Sequence, residues 1–247
     1  MNELWIAHYS ICSWNSAKTW DDYLRAIELV LDDRLLKLDE NDPVRRKADT
    51  SRSEGAYIVE FGEMEESRWL HGRFEKSKIE MEIQFNKNFR DSFGRAWRNR
   101  VMFYVPGKFA SGVGIRRLIE LFRLGNEALG AFYAYADLKE VICAKKPSTP
   151  SLNISLELMG VFWLTYFGSD YCAFFGRDTL SGLAETGEGP NNGMTLQLAD
   201  FPLHVALTRR DAIEHELGAL SFAGYGRDKE PGQYAIALED LKRAQDY

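Results

Sequence analysis

The chain has 247 residues, of which 45% are hydrophobic and 28% charged, and carries a net charge of −6. That is ample for a buried core, and it excludes both wholesale disorder and a fibrous repeat. The acidic balance argues against a general nucleic-acid binder, which needs concentrated positive surface.

An opening strand is expected at residues 4–11, followed by a helix over 20–38, where Trp20, Tyr23, Leu24, Ile27, Val30, Leu31, Leu35 and Leu38 keep helical spacing. Thr19 is its expected N-cap, with Asp21 and Asp22 in the first turn. The charged stretch 39–54 reads as a surface loop. Strands are then expected at 56–61, 68–75, 78–85 and 100–105. In the third of these Ile79, Met81, Ile83 and Phe85 alternate with Glu80, Glu82 and Gln84, one face toward the core and one acidic.

A helix is expected over 112–124 with Gly125 as its stop. AFYAYAD at 131–137 fits either a strand or a helix, and KKPSTPS at 145–151 is the best boundary between two sub-lobes. The segment 158–176, LMGVFWLTYFGSDYCAFFG, is dense in aromatic side chains and punctuated by Gly160, Gly168 and Gly176. It predicts a buried strand, a tight turn and a second core element. A flexible connection over 185–193, a strand near 194–198 and a helix over 209–217, capped by Thr208 and ended by Gly218, complete the pattern. The fold class is α+β: a mostly antiparallel sheet flanked by at least three helices.

Groups for catalysis are sparse. Cys12, Cys143 and Cys172 are widely scattered, form no CxxC pair and read as buried free thiols. His8, His71, His204 and His215 have no helical pairing, and His215 does not extend to HExxH. No GxSxG elbow, dinucleotide fingerprint or P-loop is present; SGVGIRR at 111–117, with Arg116 and Arg117, is a weak anion-binding signal. Asp137-x-Lys139 and Asp240-x-Lys242 have a nuclease-like spacing that arises readily by chance. Arg90, Arg95, Arg98 and Arg100 around Phe93 and Trp97 read as a solvated connector. The expectation is a non-enzymatic protein with no cofactor and no metal. A metal-dependent hydrolase or nuclease, or an assembly adaptor, is the alternative.

What remains is acidic surface. Glu60, Glu63, Glu65 and Glu66 lie close in sequence, with Trp69 just beyond, and Glu80 and Glu82 project from a neighbouring strand. These residues are the candidate docking surface for a basic partner, with Trp69 as its apolar anchor. The plain alternative is a solvated, solubilising face.

FWLTYFG at 162–168 followed by SDYCAFFG at 169–176 resembles the immunity protein 52 family of bacterial polymorphic toxin and type VI secretion systems. ESRWLHGRFEKSKIEMEIQF at 66–85 and GMTLQLADFP at 193–202 extend the resemblance over most of the chain. It implies a non-catalytic inhibitor that binds a cognate toxin, often a nuclease, inside the cell that makes it. Direct nucleic-acid contact is not expected, and a homodimer is left open. The amino terminus lacks the basic start and apolar run of a secretory signal, and no stretch reaches the ~18 apolar residues of a membrane span, so the expected location is the cytoplasm.

Overall fold

The computed structural model describes residues 2–10, 12, 14–39, 53–63, 68–85, 98–145 and 158–222. They build one nine-stranded antiparallel sheet and seven α-helices, the α+β class the sequence predicts. The strands are β1 (Leu4–Ser10), β2 (Leu35–Asp39), β3 (Arg68–Phe74), β4 (Glu80–Phe85), β5 (Asn99–Val105), β6 (Ala131–Leu138), β7 (Leu164–Phe167), β8 (Glu185–Glu188) and β9 (Met194–Gln197). Across the sheet they run β2-β3-β4-β5-β1-β6-β7-β9-β8. The helices are α1 (Ala17–Leu31), α2 (Glu54–Gly62), α3 (Val113–Ala128), α4 (Lys139–Lys145), α5 (Ser169–Phe175), α6 (Arg177–Leu183) and α7 (Leu207–Glu216). No helix among the described residues is long and apolar enough to cross a membrane.

Strand alternation sorts the sheet into two faces. Leu4, Ile6 and His8 of β1, Met81 and Ile83 of β4 and Val101, Phe103 and Val105 of β5 point to one side and are fully or almost fully buried. Helices α1, α2 and α3 cover that side, with Phe61 of α2 against Phe85 of β4 and Phe122 of α3 against His8. The opposite face carries the tyrosines and charges described below.

Several local expectations are corrected. Helix α1 starts at Ala17, not Trp20, because Ser16 rather than Thr19 is its N-cap and accepts the Thr19 amide at 3.2 Å. It ends at Leu31 instead of 38: Asp32 turns left-handed (φ 51°), and Leu35 and Leu38, which continue the helical spacing, belong to β2. The Asp33 carboxylate fixes this corner by accepting from the amides of Arg34, Lys76 and Ser77 at 2.8, 2.9 and 2.7 Å. Burial alone would raise its pKa; these bonds and the Ser77 hydroxyl hold it below the usual value.

The expected strand 56–61 is helix α2. Ser53 caps it, and Ile58 and Phe61, three apart, form its buried stripe. Tyr57, Ile58 and Val59 favour strands, but packing against α1 overrides that preference. Gly55 makes the approach possible, because a Cβ there would collide with the Ala17 carbonyl and the Asp21 carboxylate. The Gly55 amide donates to Asp21 Oδ1 at 2.7 Å.

Gly125 does not stop α3, which runs to Ala128; it lies inside the helix directly against the His8 ring. The 131–137 ambiguity resolves as β6, whose side chains are all buried. The aromatic segment is a buried strand, a turn at Gly168 and a helix, as expected. The 185–193 stretch is not a plain connection: it holds edge strand β8 and a 3-10 turn at Pro190–Asn192. Helix α7 begins at Leu207, with Ala206 at the cap position and no side-chain cap from Thr208. Most of the 145–151 boundary lies outside the described residues; the strands before and after it, β6 and β7, pair directly. Cys172 is buried as expected, whereas Cys12 and Cys143 are exposed.

Candidate interaction face

The face of the sheet turned away from α1, α2 and α3 carries a band of polar and aromatic side chains. Register aligns Trp69, His71 and Arg73 of β3 with Gln84, Glu82 and Glu80 of β4, and these with Arg100, Met102 and Tyr104 of β5. The band continues through Tyr9, Ala7 and Trp5 of β1 to Tyr133, Tyr135 and Asp137 of β6. Pleating alone puts these residues on one side, since every second residue of each strand shares a face.

At the centre Arg100 donates to Glu82 at 2.7 Å, and Tyr104 donates to the other Glu82 oxygen at 3.2 Å. The hydroxyls of Tyr9 and Tyr135 meet at 3.4 Å. Burial opposes the Arg100 charge, but the oxygens of Tyr9, Glu82, Tyr135 and Tyr104 more than offset it and hold its pKa above the usual arginine value. Burial, and then Glu82, push the Tyr104 hydroxyl upward. Trp69 is 48% exposed at the margin of this group, and Glu80 is exposed on the adjacent strand. The result is an open apolar ring on a sheet whose underlying charges are already fixed in place.

Farther along the same face, Asp137 ends β6 inside the protein. It receives Arg210 Nε and Nη2, each at 2.9 Å, the Trp163 amide at 2.8 Å and the Leu138 amide at 2.8 Å. Burial pushes the Asp137 carboxyl above the usual carboxylate range, and the Arg210 charge and the two amides pull it back. Glu214, one turn further along α7, pairs with Lys145 of α4 and accepts the Val161 amide at 2.6 Å. Tyr133 donates to the Gly160 carbonyl at 2.6 Å. These bonds satisfy the polar groups of 158–163 that an irregular buried segment otherwise leaves unpaired.

The seven acidic and aromatic residues singled out in the sequence are divided by this arrangement. Glu60 is exposed on α2 and Glu63 is exposed at its end, on the helical side of the sheet, because 54–62 is a helix. Trp69, Glu80 and Glu82 share the opposite face, so the two groups do not form one patch. Glu82 is 7% exposed and neutralised by Arg100, so it is no surface carboxylate. Glu65 and Glu66 lie outside the described residues.

Arg100 belongs to β5 rather than a solvated connector; Arg90, Phe93, Arg95 and Trp97 lie outside the described residues. Arg117 does not face an anion site, since it donates to the Leu31 carbonyl at 2.8 Å. Lys139 pairs with Glu3 at 3.2 Å, away from the Asp137 to Arg210 pair, while Asp240 and Lys242 lie outside the described residues. No group of three or more His, Cys, Asp or Glu able to hold a metal occurs among the described residues. The Asp137 and Arg210 pair is what the sequence reading missed; its one visible trace is a lone acid closing the apolar run AFYAYA.

No protein-family model matches the chain. No curated protein sequence matches it either. Among solved structures it is similar to a type VI secretion system protein of Pseudomonas aeruginosa, PA0821, with a TM-score of 0.60 and 14% identity over 90% of this chain and 78% of that one. At this identity the similarity establishes a shared fold.

Proposed function

We propose that this protein acts by binding: it is an immunity protein that captures and neutralises a cognate toxin of a type VI secretion system, in the cytoplasm of the cell that makes both. The exposed Trp69 carries the reading. It stands on the outer sheet face opposite Gln84, with the exposed Glu80 farther along the same face of β4 and the bonded Glu82, Arg100 and Tyr104 group between the strands beside it. A large exposed aromatic ring on a polar surface is the kind of residue that dominates a protein interface. The fold shared with a type VI secretion system protein, and the resemblance of FWLTYFG to an immunity family, support the same assignment. The chain's net charge of −6 favours a basic target, such as a nuclease whose groove is built for phosphates. The interface centres on Trp69 and Glu80, with Glu60 and Glu63 reached only by a partner that extends around the sheet edge.

The test is co-expression with the toxin encoded beside it, scored by survival, and calorimetry on the purified pair. Trp69→Ala is expected to weaken binding by about 2 kcal/mol or more, roughly thirtyfold, and Glu80→Lys to slow association, each with an unchanged melting temperature. Wild-type binding and protection by the double variant would reject this face as the interface.

A further inference from the structure

β8 ends the sheet, and the turn after it fixes which of its backbone groups face outward. The Gly189 amide donates to the Gly193 carbonyl at 2.9 Å, so by antiparallel alternation Gly187 and Glu185 also turn their backbone groups toward β9, opposite Thr195 and Gln197. The Leu198 amide, which donates to the Trp163 carbonyl at 2.9 Å, sets the same phase from the far side of β9. The N–H and C=O of Thr186 and Glu188 therefore point away from the sheet. Such a row of donors and acceptors is the template on which an extended peptide adds as a further strand.

The side chains leave this edge open. Glu185 and Glu188 are exposed, the Glu188 side chain at 80%, and a Cβ placed on Gly187 would meet nothing within 4 Å. The strand is also held in shape. Helix α6 lies against β8 and β9, and its Arg177 joins Glu188 at 2.6 Å to the Asn192 carbonyl at 2.7 Å, clamping the hairpin at its turn. A partner strand then has little left to order.

Charge selects the occupant. A second copy pairing here would crowd two more glutamates onto a ladder of 4 residues, where like charges repel. A lysine or arginine opposite Glu185 is attracted instead. Glu185 and Gly187 share one side of the strand, so a large side chain opposite Gly187 covers the glycine from the same partner.

We propose that β8 binds an extended basic segment of another protein by antiparallel strand addition, with a basic side chain opposite Glu185 and an aromatic one opposite Gly187. β8 lies at the opposite end of the sheet from β3, and the inference does not depend on the function proposed above.

The experiment titrates the isotope-labelled full chain with acetyl-Thr-Lys-Phe-Thr-Lys-Thr-amide, in which the Phe falls opposite Gly187 and the second Lys opposite Glu185. A Kd on the order of 0.1–1 mM is expected for so short a peptide. By hydrogen exchange in NMR, the amides of Thr186 and Glu188 are expected to gain protection on binding, while those of Glu185 and Gly187 are protected throughout. Glutamates in place of the two lysines are expected to weaken binding by about tenfold, and Glu185→Lys to narrow or reverse that preference. Thr186→Pro removes an outward N–H that β9 does not use, and is expected to abolish binding at an unchanged melting temperature. Should that variant fold poorly, the parent peptide N-methylated at its first Lys and central Thr makes the same test on the wild-type chain. No binding at millimolar peptide, equal binding of the N-methylated or acidic peptide, or a dimer of this chain that protects Thr186 and Glu188 in place of the peptide overturns the proposal.

Discussion

Arg210 of α7 grips Asp137 at the end of β6 through two parallel hydrogen bonds of 2.9 Å, with both residues at most 1% exposed. The pair ties the last described helix to the middle of the sheet. Replacing one partner strands the other charge in the interior, which costs far more than the pair contributes over an apolar substitute. Arg210→Leu is therefore expected to destabilise the protein by about 3–5 kcal/mol in urea unfolding. The Asp137→Leu, Arg210→Leu double variant is expected to recover part of that loss, and a double variant no more stable than the single one would contradict the argument.

Stability is expected to fall as the pH drops below the ordinary histidine value, because of His8. His8 is fully buried, and its Nε2 lies 3.1 Å from the Phe122 carbonyl, so the neutral ring carries its proton there, with Nδ1 unpartnered among the described residues. Burial lowers its pKa to about 4, although the bond to Phe122 opposes the shift. Above the unfolded value near 6.5 the ring is neutral in both states and costs nothing. As the pH falls from 6.5 toward 4 the unfolded chain takes up a proton that the folded one refuses. The loss amounts to roughly 3 kcal/mol over that window. Chemical denaturation at a series of pH values checks it; a flat stability from pH 7 to 5 would show that His8 titrates normally.

Gly125→Ala tests the same contact from the helix side. Alanine is the better helix former by about 1 kcal/mol, so an exposed mid-helix glycine would gain from the change. Here the new methyl would sit within the His8 ring. Overpacking of this sort costs about 1–3 kcal/mol, so a net loss in thermal or urea unfolding is expected. A gain in stability would mean that the ring moves aside freely.

The thiols should separate cleanly in a reaction with Ellman's reagent. Cys12 and Cys143 are exposed and are expected to react in the native protein. Cys172 is buried, donates to the Phe167 carbonyl at 3.2 Å, and has its pKa raised by burial, so it is expected to react only after unfolding. Three rapidly reacting thiols would show that α5 opens readily.

Strands β4 and β5 were legible because β4 alternates so regularly, Ile79 to Phe85 inward and Glu80 to Gln84 outward, and because VMFYV in β5 is apolar on both sides, whereas β2 was hidden in a helical spacing. The aromatic segment was legible as well, since Gly168 punctuates an apolar run that no exposed element would carry. Helix α2 was not, because its strand-forming residues are recruited by α1 and that contact leaves no mark in the local sequence. Gly125 misled for a related reason: a glycine that ends a helix and one that admits a neighbouring ring look identical in the sequence.

Charge patterns were the least reliable guide. A run of glutamates suggests one surface, yet a helix and a strand send Glu60 and Glu82 to opposite sides of the sheet, and Arg100 neutralises the second. The alternation of β4 did place Glu80 and Glu82 on the outer face, which Trp69 of β3 shares. The pairing of Asp137 with Arg210, 73 positions later, depends on a long-range fold that periodicity does not encode.

The first of the described strands in chain order, β1, lies deep within the sheet, between β5 and β6. Residues 4–10 hydrogen-bond to 99–105 on one flank and 131–138 on the other. At about 5–20 residues per second a ribosome needs on the order of ten seconds to deliver both neighbours, and until then the nascent chain displays an apolar ribbon with both edges unsatisfied. Shielding of that ribbon by a chaperone, or its mispairing with another copy, is therefore decided during translation.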